Sequence, residues 1–94
     1  MEENKMEEKE MEEKEIGVIT HYFGKISVGI IELDAPLKVG DTIHIKGAHD
    51  DFTQTIGSLQ IEHETVESAK AGDLVGIEVA QQVQPNDKVF IVLE

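Results

Sequence analysis

The chain has 94 residues, a formal net charge of −12 and no cysteine. This length favours one domain with a modest core, and the lack of cysteine excludes disulfides and thiolate metal sites. No apolar run approaches the roughly 20 residues of a membrane helix. The acidic N-terminus is unlike a secretory signal, so we expect a soluble, cytoplasmic protein.

The charge is acidic in both parts of the chain. Residues 1–15 hold 8 Glu and 3 Lys, which gives −5, and residues 16–94 hold 12 acidic residues and 5 Lys, which gives −7. Arginine does not occur in the sequence. Since phosphate recognition relies on guanidinium groups and basic patches, tight binding to nucleic acid is disfavoured.

Residues 1–15, MEENKMEEKEMEEKE, form a five-residue repeat with Met1, Met6 and Met11 in register. Five residues advance a helix by about 500°, so these side chains do not share a face. The segment has no heptad, and we predict a disordered acidic tail. The alternative is an acidic arm that docks on a basic partner. Translation starting at any of the three Met residues is compatible with the sequence.

From residue 16 onward, β-branched residues alternate with polar ones and are punctuated by Gly, Asp and Pro. This pattern predicts strands separated by turns. Gly57 indicates a bulge or bend within the fourth strand, and residues 63–73 form an irregular connection. The predicted strands are 16–23, 26–33, 42–47, 52–62, 74–80 and 88–94.

Six short strands without a helical period predict an all-β fold. Closing such a sheet removes its sticky edges, so we expect one small, closed, six-stranded Greek-key β-barrel over residues 16–94. We expect its core to include Val28, Ile30 and Leu74. Only four aromatic residues occur, which argues against a stacking platform for single-stranded nucleic acid.

The sequence offers no recognisable catalytic motif. FGKI, at residues 23–26, lacks the rest of a P-loop, so we expect no nucleotide binding. His44, His49 and the neighbouring Asp50 and Asp51 suggest a His/Asp metal site, or a polar loop of turn-forming residues. We favour the loop, and we predict a non-enzyme with no cofactor and no metal.

Three stretches together resemble the second domain of elongation factor Tu and its relatives: VGII at 28–31, LKVGDTIHIKG at 37–47 and TQTIGSLQIEHETVESAKAGDLVGIEV at 53–79. The chain is also similar to small standalone translation elongation factor-like proteins, and to the barrel appended to some collagenase-like peptidases. The resemblance implies a closed barrel without its GTPase domain. The glutamate that lies near the tRNA terminus in that family falls on Gln60 here, and an aromatic falls on Glu62, so the tRNA pocket does not carry over.

The glycines of these motifs have a structural explanation. Gly40 and Gly72 each precede an Asp, which suits a turn with positive φ. Gly76, within a predicted strand, indicates close backbone approach or a bulge. The motifs therefore specify a scaffold and leave the activity open.

We expect a non-catalytic binding module that docks on a protein or ribonucleoprotein partner, with a connection to translation. One alternative is an RNA- or tRNA-binding protein that uses Lys25, Lys38 and Lys46, although the acidic charge opposes it. The other is an accessory subunit of a peptidase-like enzyme.

Overall fold

The structure is a computed structural model that describes residues 12–93, and every regular element in this range is a β-strand. The all-β prediction is confirmed. No helix in this range is long and apolar enough to cross a membrane. The strands are β1 (Glu12–Phe23), β2 (Val28–Leu33), β3 (Leu37–Lys38), β4 (Thr42–Lys46), β5 (Asp51–Thr55), β6 (Leu59–Ile61), β7 (Glu64–Val66), β8 (Ser68–Ala69), β9 (Leu74–Glu78) and β10 (Lys88–Leu93).

Eight strands form one antiparallel sheet in the order β5-β4-β10-β1-β2-β9-β6-β7. The short strands β3 and β8 pair separately. β10 lies between β4 and β1, so the last strand in the sequence joins the two halves of the large sheet. The fold therefore depends on a long-range pairing between the two ends of the described chain.

β1 is bent by two irregularities in its pairing. Its register shifts between Glu15 and Gly17 against β10, and between Ile19 and His21 against β2. Such bulges bend a strand and increase its twist. At the first bulge, a Cβ on Gly17 would lie 2.5 Å from the carbonyl oxygen of Glu32. Only glycine therefore permits this approach of the two backbones.

The sheet curves around one hydrophobic core. Phe52 of β5 and Leu59 of β6 come from opposite halves of the sheet, yet they belong to the same cluster of buried residues. Fully burying one such side chain contributes about 1.5–3 kcal/mol. The core consists of Ile16, Ile19, Ile31, Leu33, Leu37, Ile43, Ile45, Phe52, Ile56, Leu59, Ala69, Val75, Ile77, Val79, Val83 and Val89.

The prediction of a closed barrel is wrong for the residues described, because β5 and β7 remain the two end strands of the large sheet. The predicted fourth strand, 52–62, breaks after Thr55, and its second part pairs with β9 rather than continuing beside β4. One side chain of β5, that of Gln54, makes hydrogen bonds to the backbone at the end of β9. The Gln54 amide donates to the Glu78 carbonyl at 2.9 Å and accepts from the Ala80 N–H at 2.9 Å.

The first strand begins at Glu12, inside the segment 1–15 that the sequence assigned to a disordered tail. Glu12, Glu13, Lys14 and Glu15 pair with Leu93, Val92, Ile91 and Phe90 of β10. The Lys88 ammonium also lies 3.7 Å from the Glu15 carboxylate. Strand pairing supplied by β10 thus overrides the weak local preference of a Glu/Lys segment. The rest of the predicted tail, 1–11, lies outside the described residues.

Gly40 and Gly72 have φ values of 100° and 95°, the conformation that a Gly-Asp turn favours. In each turn the Asp side chain holds a backbone N–H three residues earlier, Lys38 for Asp41 and Lys70 for Asp73, at 3.0 Å. Gly76 lies within β9, and a Cβ there would make only ordinary contacts of 3.5 Å. Its predicted close backbone approach is therefore absent.

We expect Gly72→Val to lower the free energy of unfolding by about 1–3 kcal/mol, because a β-branched residue is strained at positive φ. The matched control is Gly57→Val, since a Cβ at either site meets nothing within 4 Å and only Gly72 has positive φ. Urea denaturation measures both. Equal midpoints for the two variants would contradict this account of the turn.

A chain that starts at residue 16 should unfold more readily than one that starts at residue 12, by about 1–3 kcal/mol. The shorter chain lacks several ladder hydrogen bonds to β10, each with a net value of about 0.5–1.5 kcal/mol. Comparing denaturation midpoints of these two shortened chains isolates residues 12–15. A third chain, 12–94 with Glu13→Ala, shows how much of the loss comes from the Glu13 side chain rather than from backbone pairing. Identical stability of the chains that start at residues 12 and 16 would refute the pairing of residues 12–15 with β10.

Candidate functional site

A groove of about 720 Å³ lies on the outer face of neighbouring strands β2, β9 and β6, opposite the core. Val28 and Ile30 of β2 contribute to it, together with Gly76 of β9 and Gln60 of β6. On the same strands, Ile31, Val75 and Leu59 are buried in the core. Since successive side chains of a strand point to opposite faces, β2 and β9 are apolar on both sides here, whereas β6 presents a polar amide to the groove.

Three large apolar side chains stand around the groove and remain exposed to solvent. Phe23 is 48% exposed, Ile26 63% and Leu74 55%. All three line the groove. They come from the end of β1, the β1–β2 turn and the start of β9. A contiguous exposed apolar surface of this kind marks an interaction site more often than scattered apolar residues do.

Among residues 12–93, the polar residues that line the groove are Gln60, Glu62, His63 and Asp73, and no lysine of this range lines it. Glu62 and His63 form the tight β6–β7 turn, with φ values of 52° and 70°. Left-handed conformations at two successive residues are typical of a two-residue hairpin turn. The groove therefore combines an apolar surface with two carboxylates.

His44 lies between two carboxylates on a different part of the sheet. Its Nδ1–H donates to Glu13 Oε2 at 2.7 Å, and its Nε2–H donates to Asp51 Oδ1 at 2.5 Å. Partial burial lowers the pKa of His44, but hydrogen bonds and charge from Asp51 and Glu13 outweigh it and raise the pKa overall. The hydrogen bond from His44 in turn lowers the pKa of Asp51. The arrangement favours an imidazolium ion.

Asp87, which precedes β10, is only 4% exposed and lies beside Asp50. Burial, followed by the hydrogen bond that protonated Asp87 donates to the Asp50 carboxylate, raises the pKa of Asp87 to about 6. The N–H of Gln84 opposes this shift by donating to Asp87 Oδ2 at 3.0 Å. A Cβ on Gly47 would collide with the Asp87 carboxyl group, so glycine is required there. The pair shares a proton more readily than it holds two charges.

The histidines and aspartates of residues 44–51 do not converge on one point. His44 and Asp51 contact each other, while Asp50 and His49 act on Asp87. Within residues 12–93, no group of three or more His, Asp or Glu side chains has the geometry to hold a metal ion.

The three lysines proposed as an RNA contact lie in different places. Lys46 ends β4 and pairs in register with Lys88, and Lys25 is exposed in the β1–β2 turn. Lys38 lies before the opposite end of β4, and its ammonium bonds the Asp41 carboxylate at 3.1 Å. Lys38 and Lys46 therefore do not form one patch.

Comparison with known proteins finds relatives among proteases. The chain is 40% identical over 80 residues to an uncharacterised protease of Methanocaldococcus jannaschii, a match covering 84% of this chain and 20% of that protein. It is 31% identical over 77 residues to a collagenase of Porphyromonas gingivalis, a match covering 80% of this chain and 21% of that protein. The chain thus spans about a fifth of the length of these relatives. No family model matches.

The solved structures that match show the fold. Two structures of the C-terminal domain of a Geobacillus thermoleovorans protein named as a U32 peptidase each give a TM-score of 0.78, at 17% and 18% identity. They cover 83% and 81% of this chain, and 91% and 96% of the solved chains. The chain therefore has the fold of this peptidase C-terminal domain.

The expectation of a standalone translation elongation factor-like protein is wrong, because the relatives are proteases and the matching structures are peptidase domains. The Gly-Asp turns that carried the resemblance, at Gly40 and Gly72, satisfy backbone geometry. They therefore do not distinguish a translation factor from a peptidase module. Among the resemblances drawn from the sequence, the barrel appended to collagenase-like peptidases agrees with the comparisons.

Sequence reasoning missed the groove because it placed Val28, Ile30 and Leu74 in the core. The buried residues are instead their neighbours, including Ile31 and Val75. The available signal was the adjacent apolar pairs, Ile30-Ile31 and Leu74-Val75. Two successive apolar residues in a strand must point to opposite faces.

The Asp50–Asp87 pair predicts a loss of stability as pH rises from about 4 to about 6. The native state holds the Asp87 proton more strongly than the unfolded chain, whose Asp pKa is about 3.9, so this contribution is complete below pH 3.9 and lost by about pH 6. Asp87→Asn cannot ionise. We expect it to remove this fall and to stabilise the protein at pH 8 by about 1–3 kcal/mol.

The measurement is the urea-unfolding free energy of both proteins at several pH values from 4 to 8. Asp50→Asn is the matched variant, because removing the neighbouring charge should flatten only part of the same fall and leave the larger contribution from burial. An Asp87→Asn protein that loses stability over this range as steeply as the original would refute the assignment.

Proposed function

We propose that this chain is a non-catalytic accessory module of a U32-type peptidase. The observation that carries the proposal is the 40% identity to a protease of which the matched region is only a fifth. The matching solved domains are C-terminal domains, and they reproduce nearly the whole described fold. A separately folding region that corresponds to only a fifth of a protease is suited to binding rather than to cleavage.

The chemistry of the described residues supports a non-catalytic role. A general base needs a nitrogen or oxygen lone pair that can accept the proton of a nucleophile. Both ring nitrogens of His44 face carboxylates, at 2.7 and 2.5 Å, so neither nitrogen is open to a nucleophile. The sequence also lacks cysteine, which removes the thiolate nucleophile.

The partner that suits the module is a polypeptide, either the catalytic portion of the peptidase or its protein substrate. RNA is a weaker candidate because the chain carries −12 and Lys38 is paired with Asp41. We place the module in the cytoplasm on the basis of its sequence, which has no cysteine.

A domain exchange tests this function. The 77 residues of the Porphyromonas gingivalis collagenase that match this chain are deleted in one protein and replaced by this chain in another. We expect the deletion to reduce cleavage of gelatin about tenfold or more, and the exchanged protein to recover most of it. The 94-residue chain alone should cleave nothing.

The control is an exchange with an unrelated all-β domain of similar length, which should leave the enzyme as inactive as the deletion. Full gelatin cleavage by the deleted enzyme would contradict an accessory role. Gelatin cleavage by the isolated 94-residue chain would contradict the non-catalytic assignment.

A further inference from the structure

We infer that the groove formed by β2, β9 and β6 binds an extended peptide segment in which large apolar side chains stand beside lysine or arginine. This inference rests on the proposed function in taking a polypeptide as the partner. It goes further by naming the surface that binds the polypeptide and the side chains that the surface selects.

The apolar character of the groove is the first reason. The outer face of an antiparallel sheet is ordinarily polar because it faces water. Here Phe23, Ile26 and Leu74 are exposed by 48%, 63% and 55%, and they surround one groove. Burying side chains of this size against apolar partner residues contributes about 25 cal/mol for each Å² removed from water. The surface is therefore suited to apolar anchors.

Charge complementarity identifies the second feature of the partner. Glu62 and Asp73 line the groove, and no lysine in the described part of the chain does so. Asp73 is held in place because its Oδ2 accepts the N–H of Lys70 at 3.0 Å. A lysine or arginine beside an apolar anchor would meet these carboxylates, whereas an acidic peptide or an RNA phosphate would be repelled. The N-terminal segment of this chain, residues 1–15, also carries a net negative charge, so these carboxylates would not favour it as the occupant of the groove.

The walls of the groove are formed in advance by tight turns. Ser27, beside Ile26, has φ of 57°, and Glu62 and His63 have φ of 52° and 70°. Gly72, which precedes Asp73, has φ of 95°. These backbone conformations belong to the tight turns that form the walls of the groove. A preformed site loses less conformational entropy on binding.

The dimensions of the groove fit a short stretch of extended chain. Its floor crosses three strands, which are spaced about 4.8 Å apart in a sheet. Its volume of about 720 Å³ lies within the range of about 300–1,000 Å³ that ligand sites occupy. Gly76 keeps the middle of the floor low, since a Cβ there would contact Ile30 and Val28 at 3.5 Å.

Fluorescence anisotropy with the 94-residue chain tests the inference. The probe is a labelled hexapeptide that alternates leucine and lysine, and its counterpart carries glutamate in place of lysine. We expect saturable binding of the basic peptide only, weakened by salt. Gly76→Val, which fills the floor, and Leu74→Ser, which removes an anchor contact, should each weaken binding by about tenfold.

Two further variants separate groove binding from general surface effects. Val39→Ser changes another exposed apolar residue, 39% exposed, that does not line the groove, and it should leave affinity within about twofold. Glu62→Asn keeps a residue that tolerates positive φ but removes one charge, so it should reduce both affinity and salt dependence. Thermal denaturation of each variant shows whether the fold persists, and Leu74→Ser serves if Gly76→Val fails to fold.

Several results would overturn the inference. The first is equal binding of the acidic and basic peptides, and the second is an affinity that neither Gly76→Val nor Leu74→Ser changes. The third is tighter binding of bulk tRNA than of the basic peptide. The fourth is self-association of the chain that Leu74→Ser abolishes. Peptide binding is measured on the chain alone, so its failure with a successful domain exchange would reject only this groove. Failure of the exchange with intact peptide binding would reject only the peptidase role.

Discussion

One constraint organises this protein: a single core lies on one side of a strongly curved sheet, so each strand buries only alternate residues. Ile31, Val75 and Leu59 come from three neighbouring strands and meet the same cluster as Phe52 from the other half of the sheet. The bulges in β1 and the glycine at position 17 permit that curvature. Without a common core, neither the strand order nor the groove on the outer face would exist.

The described residues include two polar clusters outside the hydrophobic core. Hydrogen bonds from the His44 ring to Glu13 and Asp51 tie β1, β4 and β5 together across the sheet. Asp87 and Asp50 form a pair in which one carboxyl group favours its protonated form at mildly acidic pH. Both clusters lie away from the residues that line the groove. Stability and ligand binding are thus assigned to different side chains.

The family likeness shows how a scaffold can suggest a wrong function. Gly40 and Gly72 occupy positive-φ turns, and their Asp neighbours hold the backbone N–H groups of Lys38 and Lys70. Any small sheet that turns in this way benefits from Gly-Asp at these points. The comparisons place the same fold in a U32 peptidase C-terminal domain. Function therefore has to be argued from the groove and its charges.

The sequence by itself determined the all-β class, most strand positions and the two Gly-Asp turns, because these follow from period-two alternation and from local backbone preferences. It also determined the acidic charge that disfavours RNA. Only the tertiary structure decided which member of Ile30-Ile31 and Leu74-Val75 faces the core, since a shift of one residue exchanges the two faces of a strand. The same long-range pairing with β10 decided that residues 12–15 join β1, and partners distant in sequence brought Asp50 to Asp87 and His44 to Glu13.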